Sequence, residues 1–169
     1  RLSEPYMTVK NIIRASNVDV ICTTDDPADE LCYHEKIAQD EHFTTRVLPA
    51  FRPDKGINIR RSGWREYIAA LSEAAGMPIT DLESLKAAYS ARLDYFAEHG
   101  CVTADHGIDD AIPAAERHEL ARADEIFRAA LSGKQPSEHE GGIFALEMHR
   151  FFAGEYTRRG WVMQIHFGV

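Results

Sequence analysis

The apolar positions along the chain change period several times, and each change marks an element. Residues 18–22, VDVIC, are β-branched and apolar and predict a buried strand. The following PADELCYHEKIAQD carries a modest helical stripe through Ala28, Leu31, Cys32, Glu35 and Ala38, with Pro27 in the first-turn position after an Asp26 cap. RVLPAF, residues 46–51, predicts a second strand, weakened by Pro49, which cannot donate to a ladder. Trp64, Tyr67, Ile68, Leu71 and Ala75 form the next helical stripe, opened by Ser62 and closed by Gly76. Thr80 and Glu83 have capping-box spacing. They open a strong amphipathic helix with Leu82, Leu85, Tyr89, Leu93 and Phe96 on one face and Gly100 as its stop. CVTAD, residues 101–105, predicts a third strand. Leu120, Ala123, Phe127 and Leu131 mark a helix ending near Gly133. Ser137 and Glu140 form a second capping box, before Phe144, Met148, Phe151 and Phe152, and Gly160 stops that helix. WVMQIHFGV, residues 161–169, predicts a fourth strand.

The order is strand, helix, strand, two helices, strand, two helices, strand. Strands separated by helices predict an α/β fold with parallel pairing and right-handed crossovers. Four such strands form either a small open sheet or half of a barrel. A parallel sheet is covered on both faces, yet no helix follows the fourth strand, so the expectation is a piece of something longer.

Composition narrows the function classes. The chain has 169 residues, 44% hydrophobic and 27% charged, which fits one globular domain with a core. A net charge of -8 argues against a nucleic-acid partner, which needs a basic footprint. No apolar run reaches a membrane span or the core of a signal peptide. Cys22, Cys32 and Cys101 show no CxxC spacing and read as small buried side chains in a reducing compartment, which predicts a cytoplasmic protein.

Polar residues gather where each predicted strand ends. The first runs into Thr23, Thr24, Asp25 and Asp26; the second into Arg52, Pro53, Asp54 and Lys55; the third into Asp105, His106 and Gly107; the fourth carries His166 and then Gly168. Parallel α/β folds build their sites at the carboxyl ends of several strands, so four such ends predict a polar catalytic bowl. Each residue also has a plainer reading. Asp26 reads first as a helix cap, and Asp54 as the holder of a turn after Pro53. Arg52 needs a carboxylate partner, with Asp54 or Asp25 at hand. Asp105 and His106 read equally as a turn pair beside Gly107, and His166 as a core histidine. His34, His42, His99, His118, His139 and His149 lie in or beside helices and read as surface or packing residues. There is no HxH or HExxH pair, no GxGxxG, no P-loop and no GxSxG elbow. Acyl transfer by a nucleophile is therefore not expected.

The stretches NVDVICTTDDPADELCYHEKIAQD, VLPAFRPDKG, DYFAEHGCVTADHGI and RGWVMQIHFG, in this order over residues 2–168, resemble the successive motifs of uronate isomerase, also called glucuronate isomerase. That family is a divergent branch of the amidohydrolase superfamily of (β/α)8 TIM barrels. The resemblance implies that residues 1–169 are a single partial barrel domain, about strands three to six of eight, with a helical insertion. It implies aldose–ketose isomerisation of D-glucuronate to D-fructuronate, and of D-galacturonate to D-tagaturonate, in bacterial hexuronate catabolism. A base moves a proton between C2 and C1 through an enediol, electrophiles hold the oxyanion, and an arginine suits the substrate carboxylate.

By motif match, Asp105 on the fifth barrel strand and His166 on the sixth take catalytic places. Arg52 takes the carboxylate or neighbouring hydroxyls, and His106, Thr24 and Asp25 complete the substrate-binding set. The family carries zinc or another divalent metal on an HxH pair of the first strand and an aspartate of the eighth, so the metal ligands are expected outside this chain. The 169 residues alone are expected to be inactive. A metal-dependent hydrolase of the same superfamily and a noncatalytic sugar-acid-binding domain are the alternatives, and a homo-oligomer would cover the open strand edges.

Overall fold

The computed structural model describes residues 6–108 and 116–167, the side chain of Arg117 excepted. Twelve elements follow one another: α1 (Val9–Ala15), β1 (Val20–Cys22), α2 (Cys32–Ala38), β2 (Arg46–Leu48), α3 (Asp54–Ile57), α4 (Trp64–Ala75), α5 (Leu82–Glu98), β3 (Thr103–Ile108), α6 (Arg117–Leu120), α7 (Ala123–Leu131), α8 (Glu138–Arg159) and β4 (Val162–Phe167). All strand pairing is parallel. β1 pairs with β2, Ile21 opposite Val47, and β3 pairs with β4, Asp105 opposite Gln164 and Gly107 opposite His166.

Among the described residues, Phe51 makes the backbone bridge between the two pairs. It bridges to Asp25 on one side and Ala104 on the other. Phe51 N–H donates to Thr103 O at 3.1 Å, and Asp105 N–H donates to Phe51 O at 3.0 Å. The predicted second strand is thus broken at Pro49, which has no N–H to offer. Regular pairing stops at Leu48 and resumes for one residue.

The Phe51 side chain is fully buried and meets Phe96 of α5 edge-on at 5.0 Å and Phe152 of α8 at 6.0 Å. α5 and α8 therefore cover one face of the strands. A second aromatic group, Trp64, Phe127 and Phe144, ties α4, α7 and α8 together. Trp64 Nε1–H donates to Gly56 O at 2.8 Å and anchors α3. Gly56 is needed there, because a Cβ would lie 1.7 Å from the hydroxyl oxygen of the buried Tyr89.

Several local expectations are corrected. β1 is short and exposed rather than buried: Val20 is 38% exposed, and Cys22 is open to solvent. Cys32 is half-buried, and only Cys101 is buried as expected. α2 starts at Cys32, five residues after Pro27, and Asp26 is not its cap. Asp26 accepts from Ala28 N–H at 2.9 Å and Asp29 accepts from Leu31 N–H at 2.7 Å, two side-chain turns that compete with helix. Leu31, fully buried, then takes a left-handed conformation at the helix start.

The cap of α4 is Gly63 at φ +80, not Ser62. The cap of α5 is Asp81, whose carboxylate accepts from Ser84 N–H at 2.7 Å, not Thr80 with Glu83. Asp81 lies one residue nearer the helix and brings a charged acceptor to its N-terminus. The Ser137–Glu140 box and the left-handed stops at Gly76 and Gly160 are as expected. The predicted helix from Leu120 is split into α6 and α7, and α1 was not foreseen.

Parts of the strands are uncovered. Along β4, Val162 is 65% exposed on one face, and Ile165 and Phe167 are 42% and 69% exposed on the other. Among the described residues no helix is long and apolar enough to cross a membrane.

Candidate active site

Alternation along β3 decides which way each residue faces. Ala104 and His106 are buried toward the helices, while Asp105 and Gly107 face the opposite side. The parallel register sets His166 beside Gly107, so Asp105 and His166 share one face. Arg52 reaches the same place from the segment after Phe51. Its Nε–H donates to Asp54 Oδ2 at 2.8 Å, and its Nη1 lies 3.4 Å from Asp105 Oδ2. His166 Nε2 lies 3.4 Å from the other oxygen of Asp105, which accepts no hydrogen bond of good geometry among the described residues.

The result is a row: Asp54, Arg52, Asp105, His166. One guanidinium sits between two carboxylates, so the row carries one more negative than positive charge while His166 is neutral. The Arg52 and His166 side chains are 37% and 31% exposed, open enough for a small molecule to touch. Gly107 leaves room for the row. A Cβ there would lie 2.9 Å from Arg52 Nη2, 3.0 Å from His166 Cε1 and 3.2 Å from Asp54 Oδ2.

His106 does not join this row from the front. It is fully buried behind the strand, its Nε2 2.9 Å from the Tyr156 hydroxyl and its Nδ1 3.9 Å from Asp54 Oδ1. Setting its proton on Nδ1, toward the carboxylate, makes Tyr156 the donor to Nε2. Burial pushes its pKa down to about 3, aided by His149 and by the Arg52 charge, so it is a neutral imidazole at neutral pH.

The first strand end closes on itself. Thr23 Oγ1–H donates to Asp25 Oδ2 at 2.6 Å, and His34 Nε2 lies 2.8 Å from the same hydroxyl. Asp25 Oδ2 also accepts from Ala50 N–H at 3.2 Å. Asp25 thus fastens the end of β1 to the segment before Phe51. Thr24 is exposed and makes no side-chain hydrogen bond among the described residues. Asp26 pairs with Lys55 at 3.0 Å. Arg92 of α5, buried, holds the segment after β1 by donating to Pro27 O at 2.7 Å and Asp29 O at 2.8 Å.

The structure therefore brings Arg52, Asp105 and His166 together and sets His106, Thr24 and Asp25 apart from them. Asp54, expected as a turn residue or as the partner of Arg52, is that partner and the pivot of the row, whereas His34, which binds Thr23, and His149, whose ring lies 5.4 Å from that of His106, were expected only as surface or packing residues. For Asp54 the adjacency of RPD was a signal. For His34 and His149 there was none, since both partnerships are made through space. Gly168 lies outside the described residues.

Among the described residues no group of three or more His, Cys, Asp or Glu side chains could hold a metal ion. Asp105 and His166 offer two donors, aimed at each other, with Arg52 rather than a third ligand beside them. A cavity of about 260 Å³ lined by Arg61, Trp64, Arg65 and Lys134 lies at the start of α4 and contains no residue of the row.

The sequence model of the glucuronate isomerase family matches residues 1–169. Among solved structures, the chain is similar to uronate isomerase from Thermotoga maritima, with a TM-score of 0.87 at 30% identity over 97% of this chain and 36% of that one. It is also similar in fold to glucuronate isomerase from Caulobacter crescentus, with a TM-score of 0.85 at 23% identity over 99% of this chain and 34% of that one. The chain thus spans about a third of the length of these structures.

Proposed function

Since the chain belongs to the glucuronate isomerase family, we propose that the longer protein it represents interconverts an aldose uronate and its ketose, and that these residues supply one wall of the site. D-Glucuronate to D-fructuronate, and D-galacturonate to D-tagaturonate, are the reactions we assign. The supporting observation is the convergence of Arg52, Asp105 and His166 on one face at the carboxyl ends of the strands. The wall reads as the third to sixth strands of a (β/α)8 barrel. In support, four parallel segments follow in chain order, helices cover one face of β3, and apolar residues of β4 are left open on both faces.

Isomerisation removes the proton on C2, leaves the electron pair in an enediolate with charge on the C1 oxygen, and returns a proton to C1. The C2 hydroxyl gives up its own proton, net to the C1 oxygen, which becomes a hydroxyl as the C2 oxygen becomes the new carbonyl. His166 leans on Asp105 through Nε2, which orients the ring and leaves Nδ1 to exchange a proton with a sugar oxygen. Arg52 offers N–H donors to the substrate carboxylate or to hydroxyls beside it. The described residues do not compose a metal site, so zinc or another divalent ion would take its ligands elsewhere in the longer protein. We place the protein in the cytoplasm, consistent with three free cysteines among the described residues.

The test uses the full-length chain, loaded with zinc and given D-glucuronate in heavy water, with NMR detection. Ketose carrying solvent deuterium at the exchanging carbon is the expected result. A folded, metal-loaded protein that forms no ketose overturns the assignment and leaves the hydrolase reading ahead. The 169 residues alone are expected to give no turnover.

A further inference from the structure

Asp54 makes more contacts than a turn requires. Its Oδ2 accepts two hydrogen bonds, from Arg52 Nε–H at 2.8 Å and from Gly107 N–H at 3.0 Å. Its Oδ1 faces the buried His106, 3.9 Å from Nδ1, and His106 is held in turn by Tyr156 of α8. One carboxylate thus joins the guanidinium, the backbone of β3 between Asp105 and His166, and the helix layer behind. The Asp54 side chain is only 16% exposed, so it is shielded from the solvent that reaches Arg52.

Geometry gives this arrangement a purpose. A guanidinium is planar, so fixing Nε fixes the directions of both Nη groups. With Nε tied to Asp54, Nη1 is brought to Asp105 and Nη2 is laid against Gly107. Without that tie the long side chain keeps its charge and its contact with Asp105 but loses the bond that fixes its Nε.

We propose that Asp54 is a positioning residue: through its Oδ2 it sets the plane of the Arg52 guanidinium against Asp105 and His166, and it acts on substrate only through Arg52. The inference rests on the isomerase reading for its kinetic test, though not for its geometry. Asp54→Asn is close in size and its amide oxygen can still accept both N–H groups, but it lacks the charge that strengthens the bond to Arg52, and its NH2 group then faces the N–H of His106 Nδ1. A misplacement of about 1 Å in a positioning group costs about a hundredfold in rate.

The experiment is a double-mutant cycle in the full-length, metal-loaded protein, with D-glucuronate as substrate. Asp54→Asn in the wild-type background is expected to lower kcat/KM about a hundredfold. In an Arg52→Gln background the same change is expected to cost less than about threefold, because its lever is gone. Equal losses in both backgrounds show a structural role and overturn the proposal, as does Asp54→Asn activity within about threefold of wild type. If Asp54→Asn does not fold, Asp54→Glu replaces it, and full activity of that variant counts against the proposal. If the wild-type protein forms no ketose, the isomerase reading fails separately. Crystal structures of wild type and variant then decide: a guanidinium turned away from Asp105 supports positioning, and an unmoved one refutes it.

Discussion

Replacing Gly107 with alanine adds one carbon at the centre of the row. That carbon would stand 2.9 Å from Arg52 Nη2, 3.0 Å from His166 Cε1 and 3.2 Å from Asp54 Oδ2. Ordinary carbon contacts begin near 3.5 Å, so each group has to retreat by a few tenths of an ångström. Gly107 is not among the positive-φ glycines, so the backbone accepts alanine without strain. Removing a glycine from the unfolded chain is worth about 0.4–1 kcal/mol of stability, and overpacking costs about 1–3 kcal/mol. The nearest neighbour is the far end of a flexible side chain, which puts the overpacking at the low end. Net stability should therefore change by less than about 2 kcal/mol.

Activity should change more. Two of the displaced groups, Arg52 and His166, are those proposed to face the substrate, and the third, Asp54, holds Arg52; a hundredfold loss corresponds to about 2.7 kcal/mol of transition-state stabilisation. The assay pairs ketose formation by the full-length protein with its thermal unfolding midpoint. Expected is a loss of about a hundredfold in kcat/KM with the midpoint lowered by only a few degrees. Activity within about threefold of wild type in a folded variant would refute the packing argument.

Three further outcomes are expected. His106 stays neutral in the folded state down to about pH 3, whereas in the unfolded chain it gains a proton near pH 6.5, so its contribution to stability falls as pH drops between those values. At pH 5 the loss is about 2 kcal/mol, and denaturant titrations should show a flatter pH slope in His106→Gln; equal slopes would contradict the burial argument. Arg92→Lys should destabilise by about 2 kcal/mol in urea, because one ammonium cannot reproduce the directed bonds of three guanidinium nitrogens to the Pro27, Ala74 and Asp29 carbonyls; an unchanged midpoint would show that these bonds contribute little. Iodoacetamide on the native protein should label exposed Cys22 and spare Cys101, whose thiol burial pushes up to about 11, and mass spectrometry of the peptides checks this.

Much of the fold was legible where one local pattern dominated. The stripes of α5 and α8, the Ser137–Glu140 box and the glycine stops each involve residues within one or two turns of each other. Errors arose where neighbours in sequence competed or where the deciding partner lay far away. Asp26 and Asp29 turned the chain locally before α2 could begin, and Arg92, more than sixty residues on, holds that turn. The strand-end position singles out Arg52, Asp105 and His166, and the structure brings these three together. The face of each residue was harder, because β3 alternates: Asp105 looks into the open side, and the adjacent His106 looks into the core. The roles of His34 and Tyr156 depend on helices that reach the strand ends from behind, which no spacing in the chain reveals.

The ladder between the two strand pairs is one residue wide, and the row of polar groups straddles it. Arg52 and Asp54 lie on the side of β1 and β2, while Asp105, Gly107 and His166 lie on the side of β3 and β4. A transient opening at Phe51 would part the row while leaving both strand pairs intact, which makes this seam a candidate for sub-global exchange. A ligand touching Arg52 and His166 together would bind only the closed seam. It would slow exchange of the Phe51 and Asp105 amides in proportion to its occupancy, so the lifetime of two backbone hydrogen bonds becomes a gauge of how fully the site is filled.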